Sequence, residues 1–128
     1  MDTVSIAATE RTPEVLFDFQ ANTYLIRGEA YPEDVNQFFG PLVAQLEEHL
    51  NALRDGAVEF TFEMIYFNSS TAKIFMMIFD LLDAAAEVGN AVSVRWLYEA
   101  DDDNMQELGE EYGEDLEYAS FSLVESDA

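Results

Sequence analysis

The segment from residue 58 to residue 88 constrains the fold more than any other part of the chain. Residues 58–66 are rich in aromatic and branched side chains and predict a buried strand, whereas residues 70–88 predict a helix that ends near Gly89-Asn90. The residues at 66–71 are Tyr-Phe-Asn-Ser-Ser-Thr, and hydroxyl and amide side chains of this kind cap the free N–H groups of a helix start. The segment therefore predicts a strand, a short polar loop and a helix in immediate succession.

Strand and helix patterns alternate along the rest of the chain as well. The spacing of apolar residues predicts strands and helices in the order β-β-α-β-α-β-α-β. The remaining elements are an opening hairpin, an amphipathic helix, a fourth strand, a short third helix and a last strand, at residues 15–29, 31–53, 91–98, 101–112 and 118–124. Because strands alternate with helices after the hairpin, this order predicts a single α/β domain with a mixed sheet covered by helices.

The domain is expected to fill the whole chain, residues 1–128, because no linker or internal repeat divides it. Residues 1–12 are polar and lack periodicity, so they predict a loose N-terminal arm, and residues 125–128 predict an acidic tail. Within the first helix, Gly40-Pro41 predicts a kink or a boundary between two short helices, since proline has no N–H to donate.

The charge balance excludes several classes of partner. The chain has 27 Asp and Glu against five Lys and Arg, and its net charge at pH 7 is −22. No basic patch can form to neutralise the phosphates of nucleic acid or of an anionic membrane. The composition is typical of proteins from salt-accumulating halophiles, in which salt screens the repulsion between like charges.

The sequence also predicts a cytoplasmic protein. Its N-terminus lacks the basic region and the apolar stretch of a signal peptide. The most apolar segment, residues 74–82, is much shorter than a membrane span, so no membrane insertion is expected. The absence of cysteine excludes disulfides and cysteine metal sites, and no cofactor is expected.

Catalytic chemistry finds little support in the sequence. His49, the only histidine, lies among acidic and amide residues of the first predicted helix, which indicates a solvated side chain. Asp101-Asp102-Asp103 lack the ligand spacing and the glycine of a calcium loop, so they indicate helix capping. A small enzyme that uses a metal and carboxylates such as Glu63 or Glu99 is an alternative that no spacing supports.

The second predicted helix is more apolar than one buried face requires. Residues 74–79 are six consecutive apolar residues, which predicts a second face buried against a partner; packing inside the domain is the alternative. Methionine suits such a surface because its flexible side chain adapts to different shapes. The residues predicted to contact a partner are Asn68, Ser70, Lys73, Phe75, Met76 and Met77.

The polar loop before this helix has two interpretations. Its hydroxyls either cap the helix or accept a phosphate, which the partial positive charge of a helix start would stabilise. A phosphate at Ser69 would alter both the helix start and anything docked beside it. Lys73 follows four residues later, on the same side of the predicted helix. Composition leaves both interpretations open, with Ser69, Ser70 and Thr71 as candidate acceptors.

Four short motifs occur in an informative order and spacing. They are Gly28-Glu29-Ala30-Tyr31-Pro32-Glu33, Phe38-Phe39-Gly40, Tyr66-Phe67-Asn68-Ser69-Ser70 and Val92-Ser93-Val94-Arg95-Trp96. Together they resemble the SiaC-type family of bacterial regulatory phosphoproteins, and the resemblance extends over about residues 10–125. It implies a fold similar to STAS domains, the anti-sigma factor antagonists that are phosphorylated at the start of the corresponding helix.

The same resemblance implies a function. The phosphorylated hydroxyl of the family directly follows the loop Asn, which here gives Ser69 in place of the family Thr, with Ser70 and Thr71 as alternatives. In the family a GHKL-type kinase adds the phosphate and a PP2C-type phosphatase removes it. The unphosphorylated family member binds and activates a diguanylate cyclase, which raises cyclic di-GMP and promotes aggregation or biofilm growth. The chain is therefore expected to be a non-enzymatic switch; the alternative is a constitutive STAS-like binding module without phosphorylation.

Overall fold

The computed structural model describes residues 1–126 and contains the predicted succession of elements, preceded by one more strand. In chain order the elements are β1 (Val4–Ile6), β2 (Glu14–Asp18), β3 (Thr23–Ala30), α1 (Val35–Ala52), β4 (Ala57–Phe67), α2 (Ser69–Glu87), β5 (Ala91–Glu99), α3 (Asp103–Glu114) and β6 (Ser120–Ser126). The predicted α/β order from β2 to β6 is confirmed.

The six strands form one mixed sheet in which spatial order follows chain order, from β1 to β6. β1, β2 and β3 pair antiparallel, whereas β3, β4, β5 and β6 pair parallel. Each of the parallel strands β3, β4 and β5 leads directly into a helix. The carboxyl ends of these strands and the N-termini of all three helices therefore meet at one edge of the sheet.

The helices pack on one face of this sheet. Along β4, buried Val58, Phe60, Phe62 and Met64 alternate with exposed or half-exposed residues, and Phe67 at the end of the strand is buried as well. The Phe62 ring lies 5.1 Å from the Phe75 ring of α2 and 5.4 Å from the Trp96 ring of β5, measured between centroids. The opposite face carries half-exposed polar residues and the surface ion pair between Arg95 and Glu59. Helices thus cover one face, and the other face is open.

The N-terminal arm and the acidic tail are shorter than predicted. Val4–Ile6, expected within a loose arm at 1–12, pairs antiparallel with β2. A three-residue strand is too short for its alternation to stand out, and Val4 and Ile6 are only partly buried. At the other end Glu125 and Ser126, expected in the tail, continue β6 beside β5. The rest of the predicted tail, residues 127–128, lies outside the described residues.

The first helix runs without a break through Gly40-Pro41, so the alternative of two short helices is wrong. Pro41 removes one backbone N–H from the helix and disfavours helical geometry in the residue before it, largely through that residue's Cβ. Gly40 has no Cβ and relieves part of this clash. The buried residues of the helix, Phe39, Leu42, Val43, Leu46 and Leu50, then hold it against the sheet.

Asp83, near the end of α2, holds the loop that leads into β6. Its carboxylate accepts hydrogen bonds from the backbone N–H groups of Glu117, Tyr118 and Ala119, at 2.8–3.2 Å. Partial burial raises the pKa of Asp83, but the three N–H groups lower it more, and the net pKa lies below its usual value. The loop is therefore tied to α2 by an ionised carboxylate.

Replacing Asp83 by Ala should cost about 1 kcal/mol of unfolding free energy at pH 7, because three donors lose a charged acceptor at a partly solvated site. Asp80→Ala is the matched control, since Asp80 is an exposed carboxylate on the same helix. Because the pKa of Asp83 is depressed in the folded state, its contribution to the free energy of unfolding is complete above the pKa of the unfolded state. That contribution disappears as the pH falls through the pKa of the folded state.

Urea unfolding of both variants from pH 7 to pH 2 measures this. The difference in unfolding free energy between Asp83→Ala and Asp80→Ala should close below about pH 4. A gap independent of pH would contradict this.

Candidate functional site

The start of α2 is fixed by Asn68 at the carboxyl end of β4. Asn68 has extended backbone geometry, with φ −85° and ψ 176°, and its side-chain oxygen accepts a hydrogen bond from the Thr71 N–H at 3.0 Å. The Asn68 N–H donates to the Ala30 carbonyl of neighbouring β3 at 3.2 Å. Asn68 therefore caps the helix and ties its start to the adjacent strand, as expected for an Asn at an N-cap.

The three hydroxyl residues after Asn68 have different environments. Thr71 is fully buried, and its hydroxyl donates to the Ala30 carbonyl at 3.1 Å. Ser69 and Ser70 are exposed, and no hydrogen bond within residues 1–126 involves either hydroxyl. Thr71 is therefore not an accessible phosphate acceptor, because a kinase would have to unfold the start of the helix to reach its hydroxyl. The composition of this segment does not distinguish the three hydroxyls, although the family resemblance favours Ser69.

The electrostatic setting of the helix start also differs from the rest of this acidic chain. The first turn of α2 contains no acidic residue, whereas α3 has Asp103 in its first turn. Lys73 is exposed and lies on α2 one turn after Ser69, as the sequence predicts. The first turn of α2 therefore adds no negative charge next to Ser69, and Lys73 adds a positive one.

The apolar face predicted on α2 is narrower than expected. Phe75 is fully buried, with its ring 4.9 Å from that of Phe67 and 5.1 Å from that of Phe62, so its prediction as a partner contact is wrong for the folded domain. Met76 and Met77 are 50% and 49% exposed, in agreement with an accessible surface. Most of the apolar run fills the core because α2 lies centrally on the sheet, and only these two methionines, here called the methionine surface, face outward.

A second exposed apolar group, which the sequence patterns did not predict, lies just before Ser69. Ile65 and Tyr66 are 63% and 51% exposed. The β3–β4 register shifts between Gly28 and Glu29, so Ile65 is an extra residue on β4 and the alternation of the strand is reset. The sequence feature that could have indicated this extra residue is the uninterrupted apolar run at residues 64–67, in which the strict alternation of a strand fails.

Tyr66 belongs to a small aromatic group at this edge. The Tyr31 ring stands edge-on to the Tyr66 ring, 5.9 Å between centroids. The Arg11 guanidinium lies 5.5 Å from the centre of the Tyr31 ring. Arg11, predicted to lie in a loose arm, is held by a compact turn in which the Thr9 hydroxyl accepts hydrogen bonds from the N–H groups of Arg11 and Thr12. Tyrosine and arginine are common at the centres of protein interfaces.

The residues weighed for catalysis are dispersed. His49 contacts the Asn22 side chain at 2.6 Å and the Phe19 ring at 5.3 Å, and partial burial lowers its pKa. Asp102 caps α3 by accepting a hydrogen bond from the Met105 N–H, as the sequence predicted for the acidic run. Within residues 1–126, no three His, Cys, Asp or Glu side chains come together in the manner of a metal site. In the same part of the chain, no helix has the length and apolar character needed to span a bilayer.

Fold and site together define a class: small α/β domains with helices on one face of a mixed sheet and an accessible hydroxyl at a capped helix start. The chain belongs to the SiaC family of regulatory phosphoproteins, whose family model matches residues 6–126.

Relatives and solved structures are similar along almost the full chain. An uncharacterized protein of Pseudomonas aeruginosa strain UCBPP-PA14 is 34% identical over 120 residues, which are 92% of this chain and 93% of that protein. The structure of apo-SiaC from Pseudomonas aeruginosa matches with a TM-score of 0.86 and 34% identity, covering 97% of this chain and 99% of the other. A chain in the complex of the diguanylate cyclase SiaD with its activator SiaC, from the same species, matches with a TM-score of 0.89 and 32% identity, covering 96% and 99%.

Proposed function

We propose that this protein is a regulatory phosphoprotein that binds and activates a diguanylate cyclase in its unmodified form, and that phosphate on Ser69 controls this binding. Support for the partner comes from the similarity to a chain in the complex of the cyclase SiaD with its activator SiaC. The protein acts without chemistry of its own, by changing which partner it binds.

One observation narrows the accessible acceptors to Ser69 and Ser70, and the family resemblance, in which the modified hydroxyl directly follows the Asn, selects Ser69. Asn68 alone caps α2, through its side-chain oxygen and the Thr71 N–H, and the Thr71 hydroxyl is used inside the fold. The Ser69 hydroxyl is therefore not needed for the helix start, and it faces solvent. A residue that is accessible and has no structural duty can be modified without unfolding the domain. The same facts favour the switch over a constitutive module in which these hydroxyls merely cap the helix.

The exposed apolar residues on both sides of Ser69 give the switch a physical mechanism. The methionine surface follows Ser69 on α2, and Ile65 and Tyr66 precede it on β4. A partner that covers either surface brings its own atoms close to the Ser69 hydroxyl. Phosphorylation adds about two negative charges there, which a docked partner would have to desolvate. Binding through apolar contacts is then lost, while an enzyme that recognises phosphoserine is favoured.

Two further partners complete the proposal. A GHKL-type kinase adds the phosphate and a PP2C-type phosphatase removes it, so the level of cyclic di-GMP, and with it aggregation or biofilm growth, follows the balance of the two. The exposed Ser69 at the start of α2 suits this reversible modification, since both enzymes must reach the same hydroxyl.

Cyclase activity measured with the purified protein tests the partner. Addition of the unmodified protein to the diguanylate cyclase of the same organism should raise cyclic di-GMP synthesis in a saturable way. The double variant Met76→Ala, Met77→Ala should weaken activation, and because both side chains are half exposed it should leave the thermal unfolding temperature nearly unchanged. Glu47→Ala, a change at an exposed residue of α1, is the matched control. Unchanged cyclase activity at saturating protein would overturn the proposed partner.

A further inference from the structure

Basic residues are so few in this chain that the position of each is informative. The five are Arg11, Arg27, Arg54, Lys73 and Arg95. Three of them have a clear structural partner. Arg27 forms two hydrogen bonds with Glu14, Arg95 pairs with Glu59 at 3.3 Å, and Arg54 donates to two carbonyls at the end of α1. The two that are left are Arg11, in the turn at 9–12, and Lys73, on α2 one turn after Ser69.

Lys73 is the nearer of the two along the chain. It lies four residues after Ser69 on α2, and side chains at this spacing are neighbours on a helix surface. Its side chain is exposed, and no carboxylate within residues 1–126 pairs with it. In a protein with 27 acidic residues, a lysine without an ion pair beside an accessible serine is a conspicuous exception.

Arg11 approaches the same place from the other side of β3. Its carbonyl accepts a hydrogen bond from the Tyr31 N–H, while the preceding residue, Ala30, accepts one from the Asn68 N–H. The turn at 9–12 and the start of α2 thus lie on opposite sides of the dipeptide Ala30-Tyr31. Two strand spacings, roughly 10 Å, separate their backbones. The Arg11 side chain is weakly held, by the face of Tyr31 and by an ion pair with exposed Glu33 at 3.7 Å. Such a surface pair contributes little and is easily exchanged.

We infer that Arg11 and Lys73 together bind the phosphate when Ser69 is phosphorylated, with Arg11 leaving Glu33 to do so. The inference rests on the proposed modification of Ser69. A dianion placed on a chain with a net charge of −22 is stabilised by local cations. Lys73 has no ion pair within residues 1–126, and Arg11 has only the surface pair with Glu33 and the contact with Tyr31. Arginine offers a planar pair of donors that fits phosphate oxygens, and lysine adds a point charge. The phosphorylated form then differs in shape as well as charge, because Arg11 moves from the start of α1 toward α2.

Phosphorus NMR of the protein with genetically encoded phosphoserine at position 69 tests this directly. The second pKa of the phosphate is titrated in the otherwise wild-type protein and with Arg11→Gln, Lys73→Gln or Arg95→Gln. Arg95→Gln removes the same charge from the open face of the sheet, where Arg95 pairs with Glu59. Arg11→Gln and Lys73→Gln should each raise the phosphate pKa by about one unit more than Arg95→Gln does, since a cation in contact favours the dianion. The difference should persist in 1 M KCl, where long-range attraction is screened beyond about 3 Å.

Equal pKa values in all three variants would overturn the inference. A shift confined to Lys73→Gln would overturn the role of Arg11. Because the phosphate is encoded and not added by a kinase, neither outcome bears on whether Ser69 is the natural acceptor, and a failure of kinase labelling would leave this test intact.

Discussion

Phosphoserine at position 69 is expected to weaken binding of the diguanylate cyclase at least 100-fold. Taking the phosphate dianion out of water inside an interface costs about 3 kcal/mol or more, even with Arg11 and Lys73 beside it. Each 1.4 kcal/mol corresponds to a factor of ten in the dissociation constant. The loss should appear mainly as faster dissociation, because the proposal places the modified group within the docked region. Surface-plasmon or calorimetric titration of the two forms against the cyclase measures it.

A matched control separates position from charge. Ser120 is an exposed residue at the first position of β6, at the amino-terminal edge of the parallel strands and thus at the opposite end of the sheet from Ser69. Phosphoserine encoded at position 120 adds the same charge and should change the dissociation constant less than threefold. Equal weakening by phosphate at both positions would show that the total charge, rather than the start of α2, governs binding.

Salt is expected to have a large effect on stability. Raising KCl from 0.1 M to 1 M shortens the Debye length from about 10 Å to about 3 Å. Repulsion among 27 acidic residues is then largely screened, and the described residues include only three ion pairs to offset it. We expect the unfolding temperature to rise by about 10 °C, the equivalent of a few kcal/mol for a domain of this size. Differential scanning calorimetry across this range provides the measurement.

A variant with less charge tests the cause of this effect. Glu107, Glu110 and Glu114 are exposed on α3, and their joint replacement by Gln lowers the net charge without touching the core. The triple variant should unfold at a higher temperature than the wild type in 0.1 M KCl and gain less from added salt. An unchanged salt slope would mean that general salting-out by KCl, and not repulsion, produces the stabilisation.

The element order was predictable because each long element carries its own period. Alternation at 58–64 and the three- and four-residue spacing of α1 identify a strand and a helix without any tertiary information. The Asn at the start of α2 likewise predicted the cap that Asn68 forms. Local patterns of this kind match the folded structure because each one reflects the burial of one face of its element.

The features that the sequence did not predict are the burial of particular side chains and one change of strand register. They depend on contacts between residues far apart in the chain. Phe75 and Met76 are adjacent and both apolar, yet the first contacts Phe67 and the second faces solvent, which only the packing of α2 on the sheet decides. The burial of Thr71 depends on the Ala30 carbonyl, 41 residues away. The extra residue at Ile65 arises from its register with β3. None of these has a local signature strong enough to read from one sequence.

The central claim, that Ser69 is the switch residue, is tested most directly by incubating the protein with ATP and the GHKL-type kinase proposed as its partner. Mass spectrometry of the intact chain and its peptides then locates the phosphate. We expect one phosphate per chain, on Ser69, with Ser69→Ala unlabelled and Ser70→Ala labelled as well as the wild type. A phosphate located on another residue, or Ser69→Ala labelled to the same extent as the wild type, would contradict it.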